Sequence, residues 1–317
     1  MRVDILILGA GWTSTFLIPL CTERSLTYAA TSRTGRNNTI QFAFDPVSED
    51  IEPYKVLPDA QTVLITFPIE LPDASARLVR LYRSSRGGQI ERGGVETGFI
   101  QLGTTGIWDG ARKKNADSKA IVPIPAENRW YDRHTPFVPN ARASAEMELL
   151  ALSTPQTPTT VLNLSGLWGG ARSPRNWVSR VAPTKEALRN KGSIHLIHGL
   201  DVSCAILAIH ANWAKAAGQR WILTDGRIYD WWDLASAWGV VRSPSASAIE
   251  TGQAHLSTLS NSSLSEDRGP HAQWVRELMR EQDVRALPRE VGVLGRALDS
   301  REFWDQFGLS PLKARLE

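Results

Sequence analysis

Apolar positions along the chain change period several times. Residues 3–8 (Val-Asp-Ile-Leu-Ile-Leu) are a short strand-forming run that ends at Gly9, and from Phe16 to Cys21 the apolar residues continue at helical rather than alternating spacing. This predicts strand, turn, helix. The pattern recurs as short strands over 26–31, 39–44 and 62–67, the last ending in Pro68, then a helix over 73–83, a strand over 98–102, a helix over 141–152 and a strand over 160–164. Strands that alternate with helices build a parallel sheet covered on both faces, so the expected fold is α/β, a doubly wound parallel sheet of the Rossmann type. Beyond residue 165 the chain is irregular and Trp-rich. A long apolar helix is predicted over 200–217, stopped by Gly218, then a strand over 221–224, a Ser-rich surface excursion over 243–270 and an amphipathic helix over 271–281. The expected division is a sheet unit of residues 1–165 plus about 196–225, and a smaller C-terminal lobe of 166–195 plus 226–317. No internal repeat is visible.

With 42% hydrophobic residues in 317, the chain has enough apolar material for a sizeable core. Its 36 basic and 33 acidic residues leave a formal charge of +3 without a block of like charges, which argues against nucleic-acid and membrane partners and for a small molecule. The run 3–20 is apolar enough to imitate a membrane segment, but Asp4 and the cluster of glycine and hydroxyl residues at 9–15 interrupt it. Cys21 and Cys204 lie far apart without metal-type spacing, so buried thiols are expected rather than a disulfide. These features fit a cytoplasmic protein.

Candidate chemistry begins at Gly9-Ala10-Gly11-Trp12-Thr13-Ser14. Directly after a strand, Gly9 permits a sharp turn and Gly11 a close backbone approach, so that the following helix presents its N–H groups and positive dipole end to a pyrophosphate. Ser14 replaces the third glycine of the fingerprint and is still small. Thr31-Ser32-Arg33 ends the second strand, where an NAD site places an acidic residue on the ribose. An arginine instead suits a 2′-phosphate, which favours NADP over NAD. Asp45 after the third strand, Thr66-Phe67-Pro68 after the fourth and Leu164 at the end of the sixth complete the expected cofactor contacts.

Three further motifs carry a resemblance. Phe99-Ile-Gln-Leu-Gly-Thr-Thr-Gly-Ile-Trp108-Asp, Leu164-Ser-Gly-Leu-Trp-Gly-Gly-Ala-Arg172 and Ile197-His198-Gly-Leu-Asp201-Val occur in that order. Over most of residues 1–225 the chain resembles the atypical or extended short-chain dehydrogenase/reductase family, which includes NAD-dependent epimerases and dehydratases. The resemblance implies that Thr104 is the hydroxyl that holds the substrate oxygen, with Thr105 one register away. It also requires Tyr-x-x-x-Lys on the next helix, where the lysine activates the tyrosine for proton transfer. Aligned on Ala145-Glu146, the tyrosine position is Val138 and the lysine position Arg142. Valine carries no proton. Arginine can still bind ribose hydroxyls or phosphate, and Tyr131, His134, an ordered water or the substrate is left as the proton source.

Trp108, Trp168 and Arg172 fall on loops after the fifth and sixth strands, where an open α/β sheet binds its ligand, and suggest a pocket for a flat or anionic substrate; His198 either faces that substrate or caps its own helix. His210 is expected in the core and Asp230 as the cap before Trp231 and Trp232. His195 and His198, three apart, lack further partners at metal spacing, so no metal is expected. The leading expectation is an NADP-dependent oxidoreductase of a small organic carbonyl or alcohol, possible as a homodimer. Its rivals are a non-redox NADP-binding sensor and an isomerase or cyclase on the same fold.

Overall fold

The computed structural model describes residues 2–86, 97–109, 112–114, 121–123, 129–238, 269–314 and 316. Seven strands form one parallel sheet: β1 (Arg2–Leu8), β2 (Tyr28–Ser32), β3 (Ile40–Gln41), β4 (Asp59–Ile65), β5 (Gly98–Thr104), β6 (Thr159–Leu164) and β7 (Gln219–Leu223). Their order across the sheet is β7-β6-β5-β4-β1-β2-β3, so the direction of winding reverses between β1 and β4. Helices α1 (Ser14–Glu23), α2 (Ala74–Ser84), α3 (Ala141–Ala151) and α4 (Gly199–Ala211) cover the two faces. In β1, Ile5 and Ile7 join one core cluster with Leu17 and Cys21 of α1 and with α4, while Leu6 and Leu8 join another with Leu78 and Tyr82 of α2 and Leu149 of α3. Burial on both faces explains why β1 reads as a continuous apolar run rather than an alternating one.

The third strand is shorter than predicted. It ends at Gln41, and the chain turns at Asp45, whose Oδ1 accepts the Val47 and Ser48 N–H groups (3.0 and 3.3 Å). The helix predicted over 200–217 ends at Ala211, because Asn212 leaves helical geometry (φ −147°, ψ 73°) and a separate 3₁₀ turn, Trp213–Lys215, follows. Buried polar atoms account for the break. Trp213 Nε1 donates to Thr62 Oγ1 (3.2 Å), which also pairs with His210 Nδ1 (2.8 Å), and a straight helix would carry the indole away from that shared partner. His210 is therefore a core residue, as its apolar setting predicts. Cys21 and Cys204 are free, and burial raises the Cys21 thiol to about 11.

A second core gathers α5 (Trp231–Trp238), α6 (Gly269–Glu281) and the segment around Val178 and Leu188. Asp230 takes up its expected capping place, accepting from Trp232 N–H (2.9 Å), and Arg289 both pairs with it (2.7 Å) and lies over the Trp232 ring (3.8 Å). The stretch 243–268 lies outside the described residues. Three short pairings lie outside the main sheet: Gly166–Trp168 parallel to Leu196–His198, Ser193–Ile194 antiparallel to Tyr229–Asp230, and Arg129–Tyr131 parallel to Arg296–Leu298. A helix that the sequence pattern did not predict, α7 (Arg301–Phe307), brings Phe303 and Trp304 into the core beside β7. Among the described residues no helix is long and apolar enough to cross a membrane.

Candidate dinucleotide site and its surroundings

The glycine turn stands at the reversal point between β1 and β4. Gly9 is left-handed (φ +95°), and a Cβ there would come 2.6 Å from Thr66 Oγ1. Around it the turn is held from both neighbouring strands. Gly9 N–H donates to Thr31 Oγ1 (3.0 Å), Ala10 N–H to the Thr31 carbonyl (2.6 Å), and Thr66 Oγ1 donates to the Gly9 carbonyl (2.7 Å). Gly11 is different. A Cβ added to it would meet only the Gly9 carbonyl, at 3.9 Å, and so would project into the open space ahead of α1. Thr13 precedes the helix without a side-chain cap bond, and Ser14 is buried with its hydroxyl donating to the Gly11 carbonyl (2.5 Å). The Gly11, Ser14 and Thr15 N–H groups already donate to the Gly9, Gly11 and Trp12 carbonyls (2.8, 3.2 and 3.2 Å), so what this three-turn helix offers a phosphate group is the Trp12 and Thr13 amides together with the positive dipole end.

At the end of β2, Ser32 Oγ bonds Thr39 Oγ1 (2.6 Å) and accepts from Arg36 N–H (3.2 Å), which folds the following loop back. Arg33 projects from that loop, exposed and with no acidic partner among the described residues. Asp45 spends its carboxylate on its own turn, as described above. Phe67 stacks on Phe44 (5.6 Å, 22°), and its carbonyl accepts from Gln101 Nε2 (2.9 Å); Pro68 is exposed beside it. Phe44 is a site neighbour that the sequence reading did not single out, although its place after the third strand was available.

At the end of β5, Thr104 is half-buried and its Oγ1 accepts from Gly106 N–H (3.1 Å), which leaves the hydroxyl hydrogen free to donate. Thr105 is buried and donates to the Leu164 carbonyl (3.4 Å). Leu164 itself is a core residue of β6. Trp108 does not wall an open pocket: it is 1% exposed, donates through Nε1 to the Thr135 carbonyl (2.9 Å), and packs with Tyr131, Ile107 and Leu298. Tyr131 belongs to a short strand rather than a loop and shares a buried cluster with Ile107 and Trp108, which follow Thr104 in the chain. His134 is on the surface, 3.1 Å from Glu302.

Helix α3 starts after the tyrosine position. Asn140 caps it, accepting from Ala143 N–H (2.9 Å), so Val138 lies ahead of the helix, 56% exposed. Arg142, in the lysine position, turns toward the sheet. Its Nη2 donates to the Leu102 carbonyl (2.9 Å) and its Nε lies 3.5 Å from Glu146. Glu146 is the centre of a buried network: Arg220 Nη1 pairs with it, Asn163 Nδ2 donates to it (2.9 Å), and the same Nδ2 reaches the Thr104 carbonyl (3.2 Å).

The loop after β6 comes back onto the glycine turn. Trp12 Nε1 donates to the Gly169 carbonyl (3.0 Å), and the exposed Arg172 guanidinium lies over the Trp12 ring (4.5 Å). Phe16 meets Trp12 edge-on (4.9 Å) and His198 (5.2 Å), and His198 meets Trp168 (4.6 Å). His198 Nδ1 caps α4 by accepting from Leu200 N–H (3.1 Å), the structural role open to it from the sequence. The expected residues Trp12, Trp168, Arg172 and His198 thus form one aromatic cluster with one cation, alongside Gly9 and Gly11, while Trp108 stands apart from them in the core.

No protein-family model matches the chain, and no curated protein matches its sequence. Solved structures do match its fold. A protein described as an NAD-dependent epimerase/dehydratase from Methylobacillus flagellatus superposes with a TM-score of 0.56 at 15% identity, covering 99% of this chain and 94% of that one. The dTDP-glucose 4,6-dehydratase of Bacillus anthracis, in complex with NAD, gives 0.52 at 14% identity over 98% and 92% of the two chains. RMD from Pseudomonas aeruginosa, complexed with NADPH, gives 0.51 at 12% identity over 98% and 92%. The seven-stranded parallel sheet is the fold of the solved structures described as an NAD-dependent epimerase/dehydratase, a dTDP-glucose 4,6-dehydratase and RMD.

Proposed function

We propose that the chain binds a nicotinamide dinucleotide on residues 9–14, prefers NADP to NAD, and works as an oxidoreductase of a small organic carbonyl or alcohol. The observation that carries this reading is the pair of glycines: Gly9 held left-handed by Thr31 and Thr66, and Gly11 opening onto the end of α1. Those residues fit a pyrophosphate, since a side chain at Gly11 would fill the space the phosphates need. Bound there, the nicotinamide ring would supply hydride transfer.

Arg33 would hold the 2′-phosphate, because an exposed guanidinium without an acidic partner has its bidentate donors available. Arg33→Ala is expected to weaken NADPH binding by about tenfold or more while changing NADH binding less than threefold. Calorimetric titration with both cofactors measures this, and equal effects on the two would remove the NADP assignment.

Thr104 would orient the substrate oxygen with its free hydroxyl hydrogen, and Tyr131, which shares a buried cluster with Ile107 and Trp108, would supply the proton. Thr104→Val is expected to lower turnover about 10²–10³-fold with NADPH affinity unchanged. The test is a screen of small carbonyl compounds for loss of the reduced-nicotinamide absorbance. The exposed Val138, lying ahead of α3 where the resemblance requires a tyrosine, favours one rival reading, a sensor that binds the dinucleotide without using it. Saturable NADPH binding with no turnover on any carbonyl would select that rival.

A further inference from the structure

A closed circuit of hydrogen bonds surrounds the carboxyl ends of β5 and β6. Thr105 Oγ1 donates to the Leu164 carbonyl (3.4 Å), and two residues on, Gly166 N–H donates to the His195 carbonyl (2.9 Å). Leu298 N–H donates to His195 Nε2 (3.0 Å), and Arg296 returns to the starting point, its Nη1 donating to the Thr105 carbonyl (2.8 Å). Thr104 adjoins that last contact.

Two groups on this circuit are unpartnered. Ser165 and His195 stand one residue ahead of the parallel register that pairs Gly166 with Leu196. Because His195 Nε2 accepts, the imidazole proton is on Nδ1. Ser165 Oγ and His195 Nδ1 are buried, in residues 7% and 2% exposed, and neither has a hydrogen-bond partner among the described residues. A buried donor without an acceptor is costly, and two such donors on adjoining segments, each one residue ahead of the Gly166–Leu196 pairing, mark a position built for an acceptor. Arg296 adds charge. Asp109 and the Thr105 carbonyl both meet it at Nη1, so among the described residues nothing bonds its Nε–Nη2 edge, the edge that grips a carboxylate with two parallel bonds.

Resting on the oxidoreductase reading above, we propose that Ser165, His195 and Arg296 hold the anionic end of the substrate, and that this substrate carries a carboxylate close to the carbon whose oxygen Thr104 orients. Two neutral donors and one planar cation match a carboxylate in number and shape. Burial, and after it the Arg296 charge, push the His195 pKa down to about 3, so the imidazole stays a neutral donor through the neutral range. Arg296 is held in place by Asp109 and by Ser193, which donates to the Arg296 carbonyl, so its guanidinium is preorganised.

The test is saturation-transfer NMR on the full chain saturated with NADP, with four probes: pyruvate, phenylpyruvate, pyruvamide and phenylpyruvamide. The acids are expected to bind at least about tenfold more tightly than the matching amides. Arg296→Met should erase that preference while leaving the NADPH affinity within twofold, and Ser165→Ala should reduce acid binding several-fold. Equal binding of acid and amide by the wild-type protein, absence of acid binding, or a preference that survives in Arg296→Met would each overturn the proposal. The wild-type comparison stands even where a variant folds poorly. If NADP itself fails to bind, the dinucleotide reading falls, and the same comparison on the free protein still decides the anion pocket.

Discussion

Gly11→Val is expected to weaken dinucleotide binding by at least about 100-fold, close to 2.7 kcal/mol, while the protein melts at nearly its original temperature. The two effects separate because of what surrounds the residue. Gly11 is exposed and not left-handed, and a Cβ on it touches nothing nearer than the Gly9 carbonyl at 3.9 Å. A surface substitution of that kind changes stability by about 0.5 kcal/mol or less. The valine would instead occupy the approach to the α1 amides, where backbone and phosphate must come close. Gly9→Val should instead destabilise the fold itself. Its φ of +95° strains any residue with a Cβ, by roughly 1–2 kcal/mol, and the Cβ collides with Thr66 Oγ1 at 2.6 Å. That hydroxyl cannot step aside without giving up its bonds to the Leu8 and Gly9 carbonyls. Melting curves and fluorescence titration with NADPH on both variants measure the contrast. If Gly11→Val keeps its affinity within threefold, the glycine turn is not the pyrophosphate cradle.

That contrast also shows what the sequence could reveal. The strand, glycine turn and helix at residues 2–23 were legible because each depends on neighbours in sequence: an unbroken apolar run, two glycines and a return to helical spacing. The placement of Arg33 followed from counting along the second strand. Long-range pairing was not legible. Trp213 leaves the helical path to share the Thr62 hydroxyl with His210, 151 and 148 residues away from it. Nothing near residue 212 announces that break. Trp108 looked like a pocket wall because its loop follows β5, yet its indole is consumed by the Thr135 carbonyl and by core packing. The spacing around His195 raises only the question of a metal ligand, since its partner Leu298 lies 103 residues away. Arg142 matched a motif position, but the helix begins too late for Val138 to share it, and the guanidinium faces the Leu102 carbonyl.

The largest stability effect is expected at Glu146. Its carboxylate is 2% exposed and bonds Arg220, whose side chain is 8% exposed, and Asn163. Arg142 approaches it at 3.5 Å, and Arg220 also donates to Asn163 Oδ1 (2.9 Å) and lies over the Phe137 ring (4.9 Å). Glu146→Ala would leave a buried guanidinium without its counter-charge, a loss of about 3–5 kcal/mol and a fall of the order of 10 °C in melting midpoint. The charge, not the volume, is the cause. Replacing both partners by methionine removes the buried cation as well, so Glu146→Met combined with Arg220→Met should melt well above Glu146→Ala. Activity should not follow stability. Asn163 Nδ2 bridges Glu146 and the Thr104 carbonyl, so the double variant loses the anchor that orients Thr104 even where it regains stability. A reduced turnover number at an unchanged NADPH affinity in the double variant would mark this network as the positioning device for Thr104. A double variant that melts no higher than Glu146→Ala would show that shape, rather than charge compensation, holds α3 to the sheet.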